Sequence, residues 1–73
     1  MQVSDIETIF DNFSGQGCHY PLSYDLSFRF TFNQLSQMIH TLQDSTELRH
    51  KAMIKTLDIA CKIQSQLTII SRI

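Results

Sequence analysis

From Thr46 to Ile73 the chain contains neither Gly nor Pro, and apolar residues recur through the stretch at helical spacing. A run with no breaker predicts one long helix reaching nearly to the last residue. On a wheel of about 100° per residue, Leu48, Ala52, Ile59, Ile63 and Ile70 form one apolar strip, and Met53, Leu57, Ala60 and Leu67 form a second beside it. The two strips cover more than half the circumference. A helix packed on one neighbour needs an apolar stripe only a little over about 100° wide. The surplus has to meet a second partner, either another chain or the short helix carrying Ile6 to Phe13. Lys51, Lys55, Asp58 and Lys62 cluster on the remaining side and mark the solvated face.

Upstream, Gln43-Asp44-Ser45-Thr46 reads as a turn, and Asp44 with Glu47 makes a helix-start pattern of the capping-box kind. The segment before it admits two readings. Tyr24, Leu26, Phe28, Phe30 and Phe32 alternate with polar residues, the period of a half-buried strand. Phe28, Phe32, Leu35, Ile39 and Leu42 step by 4, 3, 4 and 3, which is a helical heptad seam. No second good strand is present to pair with the first, and a lone strand leaves its backbone groups unsatisfied. The favoured reading is therefore a helix from about Ser23 to Leu42. A strand over 24–32 paired with another chain is the alternative.

At the start, Ser4 and Glu7 form an S-x-x-E capping box, and Ile6, Ile9, Phe10 and Phe13 lie on one helical face. Gly15 and Gly17 end that helix, and residues 14–23 read as a loop with Pro21. The expected architecture is all-α: a short N-terminal helix and loop over 1–22, then a helical hairpin over 23–73 with a long amphipathic C-terminal arm. The 73 residues are expected to form a single small domain.

A chain of this size buries only about 60% of its unfolded surface, so its core is marginal. Hydrophobic content of 42% and a net charge of −1 exclude a disordered chain. The same charge argues against a dedicated nucleic-acid binder. It also conceals a division. Residues 1–47 carry Asp5, Glu7, Asp11, Asp25, Asp44 and Glu47 against Arg29, while 48–73 carry Arg49, Lys51, Lys55, Lys62 and Arg72 against Asp58. Opposed halves can pair within a hairpin or between copies, setting orientation more than affinity. Acid toward helix starts and base toward helix ends would follow equally from the helix dipole. The N-terminus has no signal-peptide pattern, and no apolar run is long enough for a membrane span.

Few residues invite chemistry. Cys18 and Cys61 are far apart in sequence and read as free thiols, with a single bridge between them as the minority reading. His19, His40 and His50 fit no metal-ligand spacing with them. His19 is expected in the loop, and His40 and His50 exposed or partly packed on helices. A nucleophile built on Cys61 would need a pocket and an oxyanion site for which so short a chain offers little room. No glycine-rich phosphate cradle exists. The expectation is no enzyme, no cofactor, no metal and no small-molecule substrate. The Phe28, Phe30 and Phe32 rings cannot all face one side of a helix, so they read either as core or as a surface offered to a protein.

Leu42-Gln43-Asp44-Ser45-Thr46-Glu47-Leu48, followed by Lys51, Lys55, Ile59, Ile63, Gln64, Leu67 and Ile70, resembles the tail of inner-rod subunits of bacterial type III secretion systems, and more loosely their needle subunits. Ile6-Glu7-Thr8-Ile9-Phe10 is similar in character to the short apolar-acidic segment near the start of inner-rod proteins. The two cysteines, the Phe-rich segment and the lack of a Pro/Asn-rich turn depart from those families. The resemblance implies a subunit that joins a helical assembly, cytoplasmic before assembly and then at the cell envelope or secreted. Small helical chaperones that guard such subunits are similar in size and form the rival reading, a heterodimer of fixed stoichiometry. A regulator binding nucleic acid or a polymerase is a third, marked by steep salt dependence. The interface expected on the leading reading is Phe28, Phe30, Phe32, Leu35, Ile39, Leu42, Met53, Leu57, Ala60, Ile63, Leu67 and Ile70, offered to a second copy or a helical heteropartner.

Overall fold

The first helix, α1, spans Val3–Ser14. It begins one residue ahead of the expected Ser4 cap. The Gln2 carbonyl accepts the first bonds, from the Asp5 and Ile6 N–H groups at 3.1 and 3.3 Å. The Asp5 carboxylate reaches back to accept the Gln2 N–H at 3.2 Å. Asp5 thus takes the reciprocal part of the cap expected of Glu7, and Glu7 is released for contacts elsewhere.

A computed structural model describes residues 2–14 and 21–71 of the chain, with the backbone alone for Ser14 and residues 67–71. Its elements run α1, then α2 (Leu22–Arg29), α3 (Phe32–Gln43) and α4 (Leu48–Ser71). The fold is all-α, with a short N-terminal helix and a hairpin whose second arm is the long C-terminal helix. The glycines expected to end α1, and Cys18 and His19, lie outside the described residues.

The first arm of the hairpin differs from expectation. Instead of one helix over 23–42 it is two, separated by Phe30 and Thr31 in extended conformation. Two contacts hold the break open. Thr31 starts α3 with a full capping box: its hydroxyl accepts the Gln34 N–H at 3.2 Å, and the Gln34 side chain accepts the Thr31 N–H at 2.8 Å. From α4, the Gln64 amide donates to the Ser27 and Phe30 carbonyls at 3.2 and 2.6 Å. Carbonyls at the end of a helix lack intrahelical partners, and Gln64 supplies one from 34 residues away. The strand alternative for 24–32 does not occur.

The turn also differs. Asp44 is the C-cap of α3, and α4 starts at Leu48 rather than Thr46. The Ser45 hydroxyl accepts the Glu47 N–H at 3.3 Å, in place of the expected Asp44–Glu47 cap.

The core is built from Ile6 and Phe10 of α1, Leu26 of α2, Leu35, Met38 and Leu42 of α3, and Leu57, Ala60 and Cys61 of α4. Each large side chain among them contributes about 1.5–3 kcal/mol by leaving water. α4 packs along both α3 and α2, while α1 leans on α3 and α2. Of the two strips on α4, the one carrying Met53, Leu57 and Ala60 faces this core. Because α1 docks on α3 and α2, it does not cover the other strip.

Candidate interaction surface

The Phe30–Thr31 break sorts the three phenylalanines. Phe30 turns inward, partly buried against the core, with its ring edge-on to Phe13 at 6.3 Å. Phe28 and Phe32 stay outside, 65% and 52% exposed. Tyr24, one helical turn before Phe28, is exposed too, and the two rings lie 5.5 Å apart. On α4 the outer strip is similarly uncovered: Leu48 is 83% and Ile59 48% exposed, and Ala52 is exposed between them. Ile63 is partly buried. Lys51, Lys55, Asp58 and Lys62 are exposed as expected, with Lys62 paired to Asp58 at 3.4 Å.

The other residues of the expected interface divide. Leu35, Leu42, Leu57 and Ala60 are fully buried within the chain, so their surface is already covered. Ile39 and Met53 are partly buried against the same core. The side chains of Leu67 and Ile70 lie outside the described residues.

A polar cluster joins α1 to the start of α4. Arg49 pairs with Glu7 at 3.0 Å and with Glu47 at 2.8 Å. The hydrogen bond from Arg49, with its charge, holds the Glu47 carboxyl below the usual carboxylate value and raises the guanidinium of Arg49 in turn. His50 is 5% exposed, buried rather than partly packed. Its Nδ1 bonds the Ser45 hydroxyl. Its Nε2 faces Glu47 and Glu7 at 3.5 and 3.7 Å, beyond hydrogen-bonding length, and has no hydrogen-bond partner among the described residues. Helical spacing could have marked it as buried: His50 lies two turns before Leu57, on the same side of α4 as Met53, Leu57 and Ala60.

Among the described residues, Cys61 and His40 lie on different helices. Cys61 is a free, buried thiol, and burial pushes its pKa up, so less of it is thiolate at neutral pH. His40 lies in a shallow, open depression on α3 with Asn33, Ser36, Gln37 and Thr41. All five come from one helix and include no carboxylate or lysine. Among the described residues no three His, Cys, Asp or Glu side chains converge as metal ligands would, and no helix is long and apolar enough to cross a membrane. Set against known proteins, the chain matches no family model, no curated protein and no solved structure.

Proposed function

We propose that the chain is a non-enzymatic assembly subunit that binds other protein chains through side chains its own fold leaves uncovered. One observation carries this reading. Among the described residues the core draws on all four helices, yet Tyr24, Phe28, Phe32, Leu48 and Ile59 remain exposed. Isolated exposed apolar residues are ordinary, but adjacent aromatic rings on one helix and a repeated strip on another are features of association surfaces. Aromatic anchors in particular carry much of the binding energy where protein surfaces meet.

The assembly we favour is self-association along the outer face of α4, with the Phe28–Phe32 region as a second contact. The resemblance to inner-rod and needle subunits supplies its setting, a type III secretion channel at the cell envelope. A second reading, a small chaperone or adaptor in a heterodimer, is favoured by the use of Met53, Leu57 and Ala60 inside the chain, which leaves bounded patches rather than a bare helix. Light scattering of the purified chain separates the two. Mass that grows with concentration supports a self-assembling subunit. A constant 8.5 kDa that becomes one defined complex with a single partner supports the adaptor. A monomer that engages no protein chain removes both.

A further inference from the structure

The side of α1 that faces the hairpin is apolar and the side that faces water is polar. Ile6 is fully buried and Phe10 nearly so, while Val3, Ile9 and Phe13 pack partly against the core. Ser4, Asp5, Thr8, Asp11 and Asn12 face outward, exposed. Glu7 also faces the buried His50 Nε2 at 3.7 Å, and the exposed polar ties across the joint include the Glu7–Arg49 pair, whose Arg49 side chain is 61% exposed, and the Arg29 guanidinium lying 5.0 Å from the centre of the Phe13 ring. Exposed charge contacts of this kind are weak holds. α2 and α3 are each packed on α4 directly, so the contacts within the hairpin do not run through α1. A helix of 12 residues is marginal alone in water, so α1 depends on the groove more than the groove depends on α1.

We propose that α1 is a displaceable occupant of a helix-binding groove on α2 and α3, with Arg49 of α4 at its edge, and that the groove admits an amphipathic helix of another protein with α1's chemistry. That helix carries apolar side chains at the positions of Ile6, Phe10 and Phe13 and a carboxylate at the position of Glu7. The carboxylate follows from charge complementarity: Arg49 stands at the groove edge, 3.0 Å from Glu7. It also fixes direction, because a reversed helix would carry its carboxylate away from Arg49. This inference rests on the protein-binding reading and adds to it a surface separate from Phe28 and Phe32.

The test uses the full-length chain and a fluorescent synthetic peptide with the sequence of residues 2–14, followed by anisotropy. Tethered α1 competes with the peptide, so wild type binds it weakly, and any change that loosens α1 strengthens binding in proportion. Phe10→Ala in the chain is expected to tighten binding by about tenfold or more, and Glu7→Gln, which removes no buried apolar atom, by about threefold. A peptide carrying Glu7→Lys should bind the Phe10→Ala chain about tenfold more weakly than the unaltered peptide, since it meets Arg49 with like charge. Phe28→Ser with Phe32→Ser should leave peptide binding unchanged, whatever it does to assembly. The proposal is overturned if both Phe10→Ala and Glu7→Gln bind the peptide no better than wild type while the hairpin remains helical by circular dichroism. Should Phe10→Ala unfold the chain, Glu7→Gln alone decides in the same way.

Discussion

The side-chain amide of Gln64, late in α4, donates a hydrogen bond of 2.6 Å to the carbonyl of Phe30, where α2 has just ended. This contact and its companion to Ser27 fasten the break in the first arm to the long helix. They place Phe30 inside and leave Phe28 and Phe32 outside. The surface proposed for binding therefore depends on a residue that is not part of it.

Replacing Gln64 tests this dependence. Gln64→Ala leaves two partly buried carbonyls without their donor, and a lost hydrogen bond of this kind costs about 1–2 kcal/mol. Gln64→Glu should cost more, because a carboxylate faces the same carbonyls. Urea unfolding followed by circular dichroism reads both. Equal stability of all three proteins would show that the contact does not hold the break.

The restart of α3 makes a second prediction. Thr31→Ala removes the hydroxyl that accepts the Gln34 N–H, and loss of such a cap typically costs about 1 kcal/mol. The Gln34 amide proton should exchange faster with solvent in the variant, while amides near the middle of α4 change little. Unchanged exchange at Gln34 would contradict the capping box.

Acidification should act on the cluster at the start of α4. Glu47 has its carboxyl lowered by the hydrogen bond and charge of Arg49. A lowered folded value means that the unfolded chain binds more protons in that range. The contribution is then present above the ordinary carboxylate value and lost as pH falls through the folded one. Glu47 is exposed at the surface, so the effect on stability is small and is better read at the residue. Carbon-detected titration should place the Glu47 midpoint below the ordinary value, and Arg49→Ala should return it there.

Cys61 gives the opposite sign. Burial raises its thiol above the ordinary value, so the folded chain holds the proton where the unfolded chain begins to release it. Stability is lost as pH rises from the unfolded value through the folded one. Alkylation of Cys61 should be slow in the folded chain and speed up with urea in step with unfolding. Cys61→Ser keeps the size but not the apolar character, and should remove this alkaline loss.

Much of this architecture could be read from the residues, for identifiable reasons. The breaker-free stretch after Thr46 gives α4, and the spacing of Ile6, Ile9, Phe10 and Phe13 gives the buried side of α1. The Phe-rich segment could not be resolved in the same way. Its alternating pattern and its heptad pattern overlap, and the outcome satisfies part of each: helical on both sides, extended for two residues between. The T-x-x-Q cap at Thr31 was available as a local signal. The Gln64 contact was not, because it joins positions 34 and 37 residues apart and exists only once the hairpin has closed. The same closure explains the expected interface. Periodicity identifies Leu35, Leu42, Leu57 and Ala60 as apolar positions, but it does not say whether the chain itself or a second chain covers them. A charge placed at Leu57 therefore tests the fold, whereas charges at Leu48 and Ile59 test the surface.

The most direct measurement of the assembly proposal is the solution mass of the full chain by multi-angle light scattering across a wide concentration range. It should be compared with Phe28→Ser/Phe32→Ser and with Leu48→Asp/Ile59→Asp. Self-assembly requires a wild-type mass that rises well above 8.5 kDa with concentration. It predicts that the Leu48→Asp/Ile59→Asp chain stays near the monomer mass with helicity unchanged, and that Phe28→Ser/Phe32→Ser weakens association. A wild-type chain that remains at 8.5 kDa throughout would contradict self-assembly through these surfaces, as would a mass that neither pair of substitutions alters.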